Sequence, residues 1–423
     1  MLHSLARFLE MSPDGYHAVA AAAAQLREAG FQSLEAGSIE PGGQYYCTQG
    51  GAALLAFRVP ADRPTGFVLT GSHGDSPCFR LRGSAEISGT YTRLSAERYG
   101  GLLPGGWLDR PLGVAGRVLV RTEGGIEARL IDLGPETVLI PSVAIHLNRE
   151  AGSGGKFDFA RDFTPLYGGG SAKGSFPKAV AAAAGCAEAD VLATDLSVYN
   201  GQKAVIWGPQ GEFFSGPRLD DLACVFACTQ GFLMAGPSSA IQVLGIFDNE
   251  EIGSETSRGA AAAFLPETLR AVSRGLGFDE GGHQRLLRNS FLLSCDNGHG
   301  IHPNHPELAD GQEAPVLGGG VVVKHSPRYA TDGMAAAVFT ELCRRASVPV
   351  QHYSNRPDQA GGSTLVNIAA ARTPILTVDI GMAQLAMHSC FETLGSADVE
   401  YFVRAVRAAY ETPLTVTDTQ VLL

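Results

Sequence analysis

With 423 residues, 45% of them hydrophobic and 18% charged, the chain reads as globular, and it exceeds the usual size of one compact core, so two domains are expected. A formal net charge of −11, with no local run of Lys or Arg, argues against a nucleic-acid partner, because phosphate binding needs a basic face. No segment approaches the roughly 18 apolar residues of a membrane span, and Met1–Phe8 lacks a cationic stretch leading into an apolar core, so the expectation is a cytoplasmic protein with no membrane partner.

In chain order, an amphipathic helix opens the sequence and breaks at Ser12-Pro13-Asp14-Gly15. A second helix runs through the alanines from Ala18 to Ala24 and stops at Gly30. Short strands follow around Tyr45–Cys47 and Ala52–Val59, and Phe67–Thr70 forms another, ending at Gly71-Ser72-His73-Gly74-Asp75. From about residue 84 to 200 glycines and short alternating strands dominate, among them Gly113–Val120 and Glu127–Asp132, which predicts a β-rich insertion. Gly152–Gly174 reads as a glycine-rich loop. After Asp220 strands alternate with helices: helix Leu222–Met234, strand Ile241–Phe247, a helix from Ala260, strand Phe291–Cys295, helix Gly333–Ala346 and strand Pro374–Ile380. Such alternation implies a largely parallel sheet with helices on both faces. Eight cysteines without framework spacing read as reduced buried thiols.

The chemistry concentrates at inferred strand ends. Glu250-Glu251 closes the run Ile241–Phe247, and adjacent carboxylates disfavour joint ionisation unless a cation or proton intervenes. Residues leaving a strand point in different directions, so one of the pair can bind a metal while the other faces a water, as a metal-assisted hydrolase requires. His73 and Asp75 follow Phe67–Thr70, Asp296 follows Phe291–Cys295, His388 lies a short loop after Pro374–Ile380, and Asp220 and Asp221 open a helix. Each alone has a structural explanation, as a turn histidine, an N-cap, an Asx turn or a core imidazole. Together they fall where ligands bind in open α/β sheets, beyond the carboxyl ends of the strands.

The segments Gly71–Pro77, Pro217–Leu222, Phe247–Ser254, Ser294–His299, His302-Pro303-Asn304, Arg328-Tyr329-Ala330 and Gln384–Ser389 resemble, in order, the motifs of the M18 (aspartyl aminopeptidase) family of metallopeptidases. The resemblance extends from the N-terminal helix to the end of the chain. It implies the α/β two-metal exopeptidase fold, a mixed, mostly parallel sheet flanked by helices, here residues 1–83 plus 201–423, interrupted by a β-rich dimerisation or lid domain over 84–200. It implies two Zn2+, with Asp220 bridging, His73 and Asp296 completing one site and Glu251 and His388 the other. Glu250 would be the general base and Asp75 would hold the His73 imidazole, setting its tautomer. A donor set of nitrogen and oxygen alone also accommodates Co2+ or Mn2+.

The stretch Ile140–Asn148 resembles a further family motif, which implies that His146 reaches a neighbouring subunit's active site and steadies the tetrahedral intermediate. The family's assemblies imply dimers built into a tetrahedral dodecamer. Gly74 stands where the family usually carries threonine and Asp221 where it usually carries asparagine, and neither change removes a ligand. The expected substrates are peptides with a free N-terminus, led by acidic residues. Lys324 is the candidate pocket cation, with Tyr329 and the loop around Ser363 holding the substrate backbone. His299, His302 and His305 either tune the site or stabilise a Pro-rich loop. Three readings compete: broad neutral or hydrophobic specificity, a deacylase or carboxypeptidase on the same scaffold, and a metal-stabilised assembly protein without turnover. The last is disfavoured by the presence of Glu250.

Overall fold

The computed structural model describes residues 1–34, 38–149, 156–359, 373, 375–417 and 419–423. A nine-stranded mixed sheet forms its centre, in the order Gln32–Ser33, Gln44–Gln49, Ala53–Arg58, Ile241–Phe247, Phe67–His73, Phe291–Cys295, Leu376–Gly381, Val321–His325, Val350–Ser354. The four strands from Ile241–Phe247 to Leu376–Gly381 run parallel, and each side of this block meets an antiparallel neighbour. Strands 67–73, 241–247 and 291–295 are buried at every residue, which explains why they read as apolar runs without alternation.

Alternate side chains of these strands enter two cores. Val68, Leu244 and Ile246 face helices Leu2–Met11, Gly15–Glu28, Leu219–Met234, Gly333–Arg345 and Ser396–Glu411. Phe67, Leu69, Val243 and Phe247 face Phe264–Gly275 and Glu280–Arg288. The helix Gly15–Glu28 starts where the Asp14 carboxylate accepts the N–H groups of Tyr16 (2.8 Å) and His17 (3.1 Å), a cap whose loss costs about 1 kcal/mol.

A second, seven-stranded sheet is built from strands lying between Cys78 and Tyr199. It is antiparallel, and pairing of Val191–Tyr199 with Pro111–Thr122 closes it into a barrel. Phe79 fills this barrel, stacked on Phe163 at 5.1 Å and edge-on to Trp107 at 5.3 Å. A third sheet of five strands, including Glu392–Gly395, Ala383–Leu385 and Gly298–His299, borders the strand ends of the first.

Three expectations change. The described part of Gly152–Gly174 is not a bare loop: Asp158 caps a helical turn Phe159–Asp162, and Leu166–Gly169 pairs in the barrel. The helix expected from Ala260 begins at Phe264, because Pro266 is tolerated only in a first turn. All eight cysteines are free, but Cys47, Cys78 and Cys186 are only partly buried. Among the described residues, no helix is long and apolar enough to cross a membrane.

Candidate active site

The predicted ligands converge at the carboxyl edge of the central sheet. His73 is the last residue of its strand, Glu250 and Glu251 follow Ile241–Phe247 in a short 3-10 turn, and Asp296 follows Phe291–Cys295. The backbone turns sharply at these points: Arg218 (φ 57°), Asn249 (φ 62°) and His388 (φ 66°) all adopt left-handed conformations. Such conformations cost of order 1 kcal/mol or more for non-glycine residues and persist where surrounding bonds hold them. Arg218 is held by donating to the carbonyls of Leu9, Ser12 and Asn200, each at 3.0 Å, which sets the entry to Asp220.

His73 Nε2 lies 3.6 Å from Asp220 Oδ1 and 3.9 Å from Asp296 Oδ1. On the other side, His388 Nε2 lies 3.4 Å from both Asp220 Oδ2 and Glu251 Oε2. Asp220 thus faces one imidazole with each oxygen. Ligating atoms of His73, Asp220, Asp221 and Asp296, of His73, Glu250 and Glu251, and of Asp220, Glu251 and His388 form groups within 4.8 Å. Asp220 Oδ1, Asp221 Oδ1 and Glu251 Oε1 are buried without a hydrogen-bond partner. A buried carboxylate oxygen with no donor is costly, and cations relieve that cost, so the residues present fit a metal centre.

The titration behaviour agrees. Burial, then the Asp220 charge, pushes Glu251 well above the carboxylate range, and burial does the same to Asp221. Burial lifts Glu250 to about 7, opposed by His73 and reinforced by Asp296 and Asp220. Burial would lower His388, but bonding to Asp220 and the charge of Glu251 raise it to about 10. A carboxyl raised by folding loses stability as pH climbs from the ordinary range through its folded pKa; a raised histidine is fully stabilising below its ordinary value and loses this as pH rises through about 10. Both act in one direction. The metal-free protein is therefore expected to melt lower at about pH 8.5 than at about pH 6, and zinc to narrow the gap. Scanning calorimetry with and without chelator checks this, and a metal-free melting temperature that rises with pH over this interval contradicts it.

Asp75 organises one side of the centre. Its Oδ1 accepts the N–H of Glu250 (3.1 Å) and lies 3.4 Å from His73 Nδ1, while its Oδ2 accepts the N–H of Glu251 (3.2 Å) and the Tyr99 hydroxyl (2.6 Å). His73 Nδ1 also approaches the Asp75 carbonyl at 3.0 Å. Glu392 organises the other side, accepting the N–H groups of Asp220 (3.0 Å) and His388 (2.7 Å). Sequence reasoning missed Glu392 and Tyr99. The spacing of Glu392 four residues after His388 is the one signal available, and it is weak.

Lys324 is 2% exposed and donates to the carbonyls of Asp296 (2.8 Å) and Asn297 (3.3 Å) and to Asp296 Oδ2 (3.0 Å). It therefore orients a candidate ligand while lining a cleft of about 330 Å3 with Glu250, Asp296, His299, Tyr329, Tyr353 and His388. Tyr329 places its ring 5.6 Å from Lys324 Nζ. Ser363 lies outside the described residues. His146 is exposed in a turn and belongs to none of the ligating groups among the described residues. Of the two departures, a Cβ on Gly74 would meet only ordinary contacts at 3.6 Å or more. The Asp221 carboxylate enters the ligating cluster itself and accepts the N–H of His73 at 3.2 Å.

A mixed α/β sheet whose strand ends gather buried, donor-less carboxylate oxygens beside imidazoles fits the class of metal-dependent enzymes. Residues 8–410 match the aminopeptidase I zinc metalloproteases (M18), and the chain belongs to that family. It is 38% identical over 418 residues to an M18 family aminopeptidase 2 of Stutzerimonas stutzeri, covering 95% of this chain and 96% of the relative. Its fold is similar to that in the cryo-EM structure of an Ape4–Nbr1 complex (TM-score 0.93, 30% identity, 97% of this chain and 85% of that one). It is also similar to the mApe1 dodecamer of S. cerevisiae (TM-score 0.84, 28% identity, 96% and 95%). The protein is thus an aminopeptidase of a zinc metalloprotease family, a hydrolase for which a metal cofactor is implied.

Proposed function

We propose that this chain removes N-terminal residues, preferentially Asp or Glu, from peptides, with two zinc ions and Glu250 as general base. The observation that carries this reading is Asp220 standing between two imidazoles, with donor-less carboxylate oxygens on both sides of it. His73, Asp220 and Asp296 would hold one ion, and Asp220, Glu251 and His388 the other. Zinc bound there supplies Lewis acidity and a water of lowered pKa. Glu250 is fastened through its main-chain N–H to Asp75, and among the described residues no hydrogen bond occupies its carboxylate. It can therefore accept a proton from the attacking water and return it to the leaving amine. Lys324 is the one lysine or arginine among the described residues lining the cleft, which favours an acidic first residue. Its bonds to Asp296 compete with that role and favour the broader neutral specificity as the second reading.

Residues 1–83 with 201–423 would form the catalytic domain and 84–200 the inserted dimerisation domain of a cytoplasmic protein. Val143 (53% exposed), Ile145 (53%) and Leu147 (84%) flank His146, an apolar segment suited to cover by a second copy. Dimers assembled as a tetrahedral dodecamer would bring His146 to a neighbour's site.

Chromogenic amides of Asp, Glu, Leu and Ala, with their N-acetylated forms, test the reading. Cleavage is expected only for free amines, only with metal restored, and faster for Asp and Glu. Lys324→Met is expected to lower the acidic-to-neutral ratio by about tenfold or more, as losing one charge-assisted contact of about 1.5–3 kcal/mol implies. An unchanged ratio removes Lys324 as the selector, and release of acetate from the acetylated forms, with the chromogenic amide left intact, points to a deacylase.

A further inference from the structure

The strand Tyr91–Tyr99 of the barrel ends beside the ligand cluster, and Gly100, Gly101 and Leu103 beyond it also meet the cluster. Tyr99 Oη donates to Asp75 Oδ2 at 2.6 Å, the oxygen that also accepts the Glu251 N–H, and accepts from Asn249 Nδ2 at 3.0 Å. Gly100 has φ 70°, and a Cβ there would stand 3.1 Å from Glu251 Cβ and 3.3 Å from Glu251 Oε2, a close approach in a left-handed turn that glycine makes without strain. The Gly101 carbonyl lies 2.9 Å from His388 Nδ1, and the Leu103 N–H donates to the His388 carbonyl at 2.9 Å. A carbonyl can only accept, so this bond keeps a proton on Nδ1 and turns Nε2 of His388 toward Asp220 and Glu251, the face a bound cation would take. Tyr99, Gly101 and Leu103 thus bond to the residues that carry or form Glu251 and His388, and Gly100 passes close against Glu251. The same strap reaches His73 only through Asp75.

We propose that Tyr99–Leu103 is a positioning strap through which the barrel holds the Glu251–His388 half of the metal centre, with Tyr99 its one side-chain element. Metal retention then depends on the docking of the β-rich unit as well as on the ligands. This rests on the two-zinc reading above. Removing the Tyr99 hydroxyl leaves the Asp75 carboxylate one donor short and the buried Asn249 amide without its acceptor, freeing the turn that carries Glu251.

The test is zinc retention in Tyr99→Phe by competition with a chromogenic chelator, beside the absorption spectrum of the cobalt-substituted protein and steady-state kinetics. The expected result is a wild type holding two zinc ions per chain and a variant in which one is stripped about 10–100-fold more readily, with an altered cobalt spectrum and a lower kcat at unchanged KM. Tyr91→Phe, on the exposed start of the same strand, is expected to match the wild type. Adding Tyr99→Phe to Asp75→Asn is expected to weaken zinc by less than the sum of the two single effects, because part of what the hydroxyl does passes through that carboxylate. Wild-type retention of both ions by Tyr99→Phe, or full additivity with Asp75→Asn, overturns the strap. A wild type that binds no second zinc overturns the two-zinc reading instead. Should Tyr99→Phe fail to fold, circular dichroism shows it, and Asn249→Ala probes the same hydroxyl from its other bond, with equal loss of one zinc expected and full retention overturning the proposal.

Discussion

Glu250→Gln is expected to keep both zinc ions and lose about 10²–10⁴-fold in kcat, the range that a positioned general base contributes. The amide nearly preserves the shape of the side chain and leaves untouched the main-chain N–H through which Asp75 grips the turn. What disappears is the ability to take a proton. Burial already makes the Glu250 carboxylate unusually basic, to about 7 without metal, with His73 opposing and the neighbouring carboxylates reinforcing. Only the ionised form accepts a proton, so activity should fall as pH drops through the Glu250 pKa, and zinc should move that limb to lower pH by favouring the charged form. Zinc content by atomic emission and a pH–rate profile check both points. A Glu250→Gln variant as active as the wild type with zinc bound removes Glu250 from catalysis.

The second large effect is expected of Asp220→Ala, set against Asp221→Asn. Asp220 faces both imidazoles, at 3.6 Å and 3.4 Å, so deleting it is expected to withdraw a ligand from each half of the centre. Losing the Lewis acid removes several kcal/mol of transition-state stabilisation, a fall in kcat/KM of about 10³-fold or more. Asp221 is equally buried, but its Oδ2 serves the His73 N–H, which an amide oxygen can also accept. Asp221→Asn is therefore expected to stay active and to weaken zinc only modestly through the lost charge. Isothermal titration of zinc into the chelator-treated proteins separates the two. Unaltered zinc binding by Asp220→Ala ends the bridging assignment, whereas an inactive Asp221→Asn makes Asp221 a ligand in its own right.

Much of the catalytic half is legible in the order of the residues. Runs such as Phe67–Thr70 and Ile241–Phe247 are apolar because helices cover both faces of the sheet, and the polar residues that follow them mark the edge where backbone leaves the core. That logic locates His73, Glu250, Glu251 and Asp296. Lys324 is legible as a cation beside the site but not as a buried donor to Asp296, because its partner lies 28 residues away and meets it only when two strands pack. Helix Ser396–Glu411 also escapes a reading of the sequence, though it packs in the main core.

Residue types and their order determined the family, the ligand chemistry and the central α/β frame, since these depend on hydrophobic period and on which side chains can bind a cation. The tertiary structure alone decided how the centre is held. Tyr99 on Asp75, Gly101 on His388 and Glu392 on Asp220 act through hydrogen bonds between segments far apart in the chain, some of them through main-chain atoms that carry no side-chain signature. Such bonds depend on distance and direction in space, and no spacing along the sequence encodes them.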